Sequence, residues 1–499
     1  MADKKAGRSS TGDGAASTPA AKAGALSVRS FMASLGVLAA LMVVAGILTI
    51  VVPSGSYQRV PGPDGTLVVV PDSYAPAPRP DYPAWRWATA PFEVLASDDA
   101  ALAIVIIVFI AVVGGAFALL REAGVLEESV RMLAARFRTK RMALLAVLCL
   151  FFMSIGSFMG IFEEVVPLVP LAIGLSLSFG WDVFAGLGMS ILAVGFGFSA
   201  AIANPFSIGT AQRLAGIPVL SGSGFRIFVF ICVYVLYFAF LSGYVRKLEK
   251  KGSGSTSVFS GSASAVPASA APASPVTGIS YNPARGVRFF GWSSLVLALL
   301  VMLSSVTRIG SDFVLPVIAL GFLIIGTGAG LSAGVPAGTA ARSFGAGSLG
   351  VLPAGLLILM ALSVKRIVVA GGIMDTVLYS ASGLLEGSSR YSAAGLMYLL
   401  VLGMNFFIGS ASAKAFLLMP ILAPLADLTG LSRQLAVQAF AFGDGFSNML
   451  YPTNAVLLIS LGLAGMSWWQ WFKHTWKLQA ATLLLTMALL MLAVAIGYA

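Results

Sequence analysis

The chain has 499 residues, of which 58% are hydrophobic and 10% charged, and its 31 Lys and Arg against 20 Asp and Glu give a net charge of +11. A soluble domain carries about 25% charged residues, so most of this chain cannot present an aqueous surface, and its repeated apolar runs have the roughly 20 residues that cross about 30 Å of hydrocarbon. The sequence reads as an all-α polytopic membrane protein, and because the basic excess is spread over loops rather than one face, nucleic acid is excluded as a partner.

In chain order, residues 1–28 are rich in Ala, Gly, Ser, Thr and Lys and read as a disordered cytoplasmic tail. Residues 29–99 hold a first crossing, about 31–53, and an external loop rich in Pro, Tyr and Trp. A second run, about 100–120, leads into an amphipathic stretch bearing Arg121, Arg131, Arg136, Arg138, Lys140 and Arg141. The basic residues there and in the tail put the N-terminus in the cytoplasm of a multi-pass protein of the inner, or plasma, membrane. Residues 100–245 form a first repeat, 246–288 a flexible cytoplasmic linker and 289–499 a second repeat.

One run in each repeat is too long for a single helix. The run at about 142–179 is broken by Ser154, Gly156, Ser157 and Gly160, and the run at about 391–429 by Gly409, Ser410, Ala411 and Ser412. Both are expected to be re-entrant helical hairpins, because irregular backbone at membrane depth is tolerated only under protein or water. Each hairpin precedes an apolar helix with a polar break, Ala203-Asn204-Pro205-Phe206-Ser207 and Tyr451-Pro452-Thr453-Asn454.

A shift of 250 positions lays Pro170 on Pro420, Gly180 on Gly430, Gly195-Phe196 on Gly445-Phe446 and Asn204 on Asn454, with Gly124 opposite Gly372 and Leu214-Ala215-Gly216 opposite Leu463-Ala464-Gly465. With the halves in opposite orientation, this is the inverted repeat of a secondary transporter, whose substrate site lies near the midplane on broken helices.

Proline interrupts the helical ladder. The carbonyls it frees, with side-chain oxygens beside them, can replace the hydration shell of a sodium ion near Asn204 and Asn454, while helix N-termini offer N–H groups to a carboxylate. A single such break is more often a structural kink; two symmetric ones point to a site. The candidate substrate-binding residues are Ser157, Asn204, Pro205, Ser207, Ser410, Ser412, Lys414, Thr453 and Asn454. Glu163, Glu164 and Asp444 are the candidates for ion coupling, since a charge at the bilayer centre costs about 2.5–3.5 kcal/mol. Lys414 is expected to meet a solute carboxylate or, as a second role, to pair with Glu164 or Asp444, the alternative to both being a shallow charge that snorkels to water. Lys365 and Arg366 mark either an anion contact or the early end of a span, and Asp182 and Arg433 read as caps or interface charges. His474 and its flanking Trp residues read as an interfacial belt.

One His, and two Cys (Cys149 and Cys232) inside apolar runs, leave no material for a zinc centre, a Ser-His-Asp triad or a disulfide framework. No P-loop and no G-x-G-x-x-G occurs, which argues against ATP-driven transport. No resident cofactor beyond a coupling sodium ion or proton is expected, and enzyme activity is not. A channel, the competing class, would need a continuous pore with polar rings.

The stretches Gly160-Ile161-Phe162-Glu163-Glu164, Ala203-Asn204-Pro205-Phe206, Gly409-Ser410-Ala411-Ser412-Ala413-Lys414 and Gln438 through Asn448 to Pro452-Thr453-Asn454 resemble the C4-dicarboxylate anaerobic carrier-like family. Lys365-Arg366-Ile367 and Gly372-Ile373-Met374-Asp375-Thr376 look like the segment before that family's second hairpin. The resemblance includes proteins described as basic amino-acid, arginine–ornithine antiporters, and extends to the ion transporter superfamily and the divalent anion:sodium symporters. It implies two inverted repeats, a scaffold that forms a homodimer and an elevator-like movement of the hairpin-bearing part. The solute it implies is a small carboxylate, with an aminobenzoyl-glutamate-like organic anion as the alternative suggested by Lys414.

Overall fold

A computed structural model of the chain describes residues 28–61, 67–70, 73–97, 99–137, 139–251, 281–306, 314–383 and 387–499. The expected tail up to residue 27, the centre of the linker and the side chain of Glu164 lie outside the described residues.

The protein is mostly helical. The first part holds α1 (Val28–Val51), α2 (Trp85–Val94), α3 (Ala100–Glu122) and α4 (Val125–Arg136). It continues with α5 (Arg141–Met159), α6 (Val169–Ser178), α7 (Val183–Leu187), α8 (Ala193–Ser199), α9 (Thr210–Leu214) and α10 (Ser223–Lys251). Beyond the linker come α11 (Pro283–Val306), α12 (Val314–Ser332), α13 (Ala337–Ala370) and α14 (Met374–Gly383). The chain closes with α15 (Arg390–Met404), α16 (Ala411–Leu428), α17 (Arg433–Gly445), α18 (Ala455–Leu463) and α19 (Trp468–Ala495). Seven of the described helices, α1, α3, α5, α10, α13, α16 and α19, are long and apolar enough to cross a membrane.

Both over-long runs turn back where small residues break them. Gly160–Phe162 and a 3-10 segment, Glu163–Leu168, join α5 to α6, and residues 405–410 join α15 to α16. In the first case α5 packs along α8 and α6 on α7; in the second, both arms pack on α17. Small residues permit this closeness: a Cβ on Gly197 would sit 1.9 Å from the Met153 carbonyl oxygen, and one on Gly443 2.8 Å from that of Tyr398.

The residues that align between the halves occupy matching places. Gly124 and Gly372 (φ 68° and 67°), Gly180 and Gly430 (78° and 68°) and Gly216 and Gly465 (68° and 64°) all hold the left-handed conformation that lets a chain leave a helix. The helix following each hairpin crosses its counterpart at Gly195, which faces Met449, and Gly445, which faces Ser199. The rings of Phe196 and Phe446 meet there. The start of α7 lies against α10, where Tyr244 bonds Asp182, and against α19 through Phe184 and His474. The start of α17 lies against a different cluster, in which Gln434 bonds Ser221 and Tyr498.

Around this part stand α3, α12 and α13, packed on one another, with α1 on α13 and α11 on α12. The loop between α1 and α2 forms two short antiparallel ribbons: β1 (Gly55–Ser56) with β4 (Ala75–Pro76), and β2 (Arg59–Pro61) with β3 (Leu67–Val69). It is strapped to α14: the Tyr57 N–H and the Arg59 guanidinium donate to the Asp375 carboxylate at 2.9 and 2.7 Å, and Tyr74 stacks on Tyr379 at 4.1 Å.

Lys365 and Arg366 lie within α13 and pair with Asp99 at 2.7 Å and Glu93 at 3.8 Å, beside α2 and the start of α3. Trp471 is fully buried, its indole serving the second helix break. Asp182 is the cap it was expected to be, accepting the Ala185 N–H at 3.0 Å, and Arg433 pairs with Asp427 at 2.7 Å.

Candidate functional site

The first break opens because α8 ends at Ser199 and Pro205, which has no N–H to give, starts the next helical turn. Ser157 on α5 clasps the open backbone, its Oγ donating to the Ala200 carbonyl at 2.8 Å and accepting from the Ile202 N–H at 3.0 Å. Asn204 caps the new turn; its Oδ1 accepts from the N–H groups of Phe206 and Ser207 at 2.9 and 3.3 Å. Its Nδ2 and the Ser207 hydroxyl are buried without a hydrogen-bond partner among the described residues. Such orphans are rare and call for an explanation.

Both hairpin turns close on this break. A Cβ on Gly160, at the first turn, would lie 2.2 Å from Asn204 Oδ1. Ser412, at the start of α16, donates to the Phe206 carbonyl at 3.0 Å, while Ser410 caps α16 through the Ala413 N–H at 3.4 Å and stays exposed. Pro205 is half-buried. Glu163 opens the 3-10 segment just past the first turn and is likewise half-buried.

The second break matches the first in its cap. Asn454 Oδ1 accepts the Leu457 N–H at 3.0 Å, but here Nδ2 is used, donating to Asn448 Oδ1 at 3.1 Å. Thr453 beside it is half-buried. The freed carbonyls of Met449 and Leu450 accept from the indoles of Trp471 and Trp468 at 2.7 and 2.8 Å. Protein donors thus reach oxygens that the sequence offers to a sodium ion at both breaks. Among the described residues no group of three or more His, Cys, Asp and Glu is placed to hold a metal ion.

Lys414 and Asp444 form a fully buried ion pair, Nζ to Oδ1 at 2.7 Å. Nζ also donates to the Ile408 carbonyl at 2.8 Å and to Asn405 Oδ1. Asn405 is held for this by its Nδ2, which donates to Ser447 Oγ at 2.6 Å and Asn448 Oδ1 at 2.9 Å. Of the two roles expected for Lys414, the internal partner is the one the geometry displays.

Sequence reasoning missed Asn405 and Arg226. Arg226, 1% exposed, donates to the Ile202 carbonyl at 2.9 Å and to Ser221 O at 2.7 Å, and no carboxylate pairs with it among the described residues. Its place near the start of an apolar run looks like an interfacial charge, and only the return of the first break to α10 shows otherwise.

Residues 31–495 match the model of the C4-dicarboxylate anaerobic carrier family, DcuC, and the chain belongs to that family. It is 29% identical over 408 residues to the proposed basic amino acid antiporter YfcC of Escherichia coli K12, over 77% of this chain and 76% of that protein. It is 26% identical over 417 residues to an uncharacterized protein of Haemophilus influenzae Rd, over 79% of this chain and 76% of that one. Solved structures similar to it are the YdaH transporter of Alcanivorax borkumensis, at 18% identity over 94% of this chain and 99% of that one with a TM-score of 0.43, and Neisseria gonorrhoeae MtrF, which illuminates a class of antimetabolite efflux pumps, at 18% identity over 92% and 94% with a TM-score of 0.39. The family expected from the motifs is the family found, and with its apolar helices the protein is a multi-pass membrane transporter.

Proposed function

We propose that this member of the C4-dicarboxylate anaerobic carrier family moves a small carboxylate-bearing solute, an amino acid or a C4-dicarboxylate, by secondary active transport. Transport is coupled to sodium or protons or runs by solute exchange. The observation that carries this reading is the pair of orphaned groups at the first break, Asn204 Nδ2 and Ser207 Oγ. Asn204 Oδ1 is committed to its cap, so the amide nitrogen and the hydroxyl are donors waiting for an acceptor, and a carboxylate oxygen is one. Because Gly160 and Ser412 cover this segment, withdrawal of either hairpin uncovers it, and uncovering it from one side at a time is alternating access.

The repeats are proposed to be inverted. Supporting this are the matched glycine helix ends, the meeting of Phe196 with Phe446 and the different clusters that receive the starts of α7 and α17. In the same reading the hairpin-bearing part moves as an elevator against a dimer scaffold of α1, α3 and α11–α13, in the inner membrane with the N-terminus cytoplasmic.

Exchange of basic amino acids, for which YfcC is named, is a second reading that one observation favours. Asp444 neutralises Lys414, so the second hairpin presents no bare positive charge to a cationic solute.

Reconstituted vesicles loaded with single C4-dicarboxylates or amino acids and assayed for counterflow, with and without sodium, test both readings. Accelerated uptake with one class and not the other is expected. No counterflow with any of them would overturn the proposal, as would ohmic current in planar bilayers.

A further inference from the structure

The ammonium of Lys414 sits in a shell of three oxygens supplied by two separate elements. The turn of the second hairpin gives the Asn405 side chain and the Ile408 carbonyl, and α17 gives Asp444. Two hydrogen bonds, to the amide oxygen and the backbone carbonyl, and the ion pair with Asp444 at 2.7 Å hold the ammonium. A carboxylate, an amide oxygen and a backbone carbonyl are also the donor set that hard cations take from proteins. The shell connects to the second break in one step, since Asn448 Oδ1 accepts from both Asn405 and Asn454.

The first repeat has no counterpart. The positions 250 upstream of Asn405, Ile408 and Asp444 are Ile155, Phe158 and Val194, and the one upstream of Lys414 is Glu164. A Lys–Asp pair whose carboxylate position is Val194 in the other repeat is not something packing asks for, because replacing a buried pair with apolar side chains is often neutral or stabilising.

We propose that the Lys414 ammonium is the resident cation of the second hairpin: it binds the turn at 405–410 to α17 as a free metal cation would, so this half of the carrier closes without sodium. This deepens the proposed function by confining any free coupling cation to the first half. It also makes position 414 a determinant of ion selectivity.

The test uses the purified full-length chain and its melting temperature, needs no transport assay, and so fails or succeeds independently of the solute. Lys414→Ala removes the atoms from Cγ to Nζ, which n-propylammonium replaces. At constant ionic strength in choline chloride this variant is expected to melt below the wild type. Added propylammonium or sodium should raise its melting temperature with the logarithm of concentration, and by more than either raises that of the wild type. In Lys414→Ala/Asp444→Asn, which lacks the anionic ligand, the additional response should vanish. A single variant that melts like the wild type, or melts lower and answers neither cation more than the wild type does, overturns the proposal. Should the single variant not survive extraction, recovery decides: extraction in propylammonium should restore it, and unchanged loss overturns the proposal.

Discussion

Phe196 and Phe446 lie 250 positions apart in the chain, and their rings meet edge to face with centroids 5.3 Å apart at 74°. The contact lies where the two broken helices pack on one another, with Gly195 against Met449 and Gly445 against Ser199. Truncating either ring leaves a cavity at the centre of the protein. Phe196→Ala and Phe446→Ala are each expected to cost about 3–5 kcal/mol. The double variant should cost less than the sum, because the second truncation removes a contact already gone. Strict additivity in equilibrium unfolding would show that the rings do not interact.

Asn204 performs two tasks with two atoms, and they can be separated. Asn204→Asp keeps the capping oxygen and loses the amide nitrogen; the carboxyl it buries without a cationic partner lowers melting, and solute affinity at equal folded abundance should fall at least about tenfold, the equivalent of about 1.4 kcal/mol. Asn204→Ala loses the cap as well, worth about 1 kcal/mol. Wild-type affinity in the aspartate variant, measured by counterflow at equal abundance, would remove the amide from the solute site.

Gly160 holds φ at +70° against Asn204, whereas Gly409 at the other turn has nothing within 4 Å of an added Cβ. Gly160→Ala is expected to cost roughly 1–2 kcal/mol from the backbone alone and further stability from displacing Asn204, with loss of transport. Gly409→Ala should be tolerated. Equal melting and equal transport in the two variants would deny the close fit at the first turn.

A pH effect is expected at α2. Burial acts to raise the Glu93 carboxyl, but hydrogen bonds from Arg86 and Thr89 outweigh it and hold the group below its ordinary 4.5. A depressed folded value means that the contribution is complete above the unfolded value and is lost as pH falls through 4.5 and below. Glu93→Gln should therefore flatten the acid limb of the melting-temperature profile. Burial, followed by the charge of Glu93, also pushes Tyr82 up to about 12. An unchanged acid limb in the variant would place the acid sensitivity elsewhere.

The runs, the two turns and the two Asn-led breaks were legible because they rest on local rules: apolar length, small residues where a hairpin must reverse, and proline where a helix must restart. The repeated glycines were legible for the same reason, each ending a helix in a conformation that other residues resist. Partners across the fold were not legible. Nothing near Trp471 in the chain announces that its indole serves the Met449 carbonyl, and nothing near Asn405 announces that its amide faces Lys414. Lys414 could not be assigned between a solute carboxylate, a protein carboxylate and water, because spacing along a chain does not say which group folds back to it.

The pair at 414 and 444 also constrains how this sequence can drift. Losing either charge alone leaves the other buried and uncompensated, a step of about 3–5 kcal/mol in a molecule whose total margin is about 5–15 kcal/mol. The two positions therefore form one heritable unit, kept together or exchanged together for apolar residues. A lineage that makes the exchange must pass through a weakened intermediate or find a substitute cation on the way.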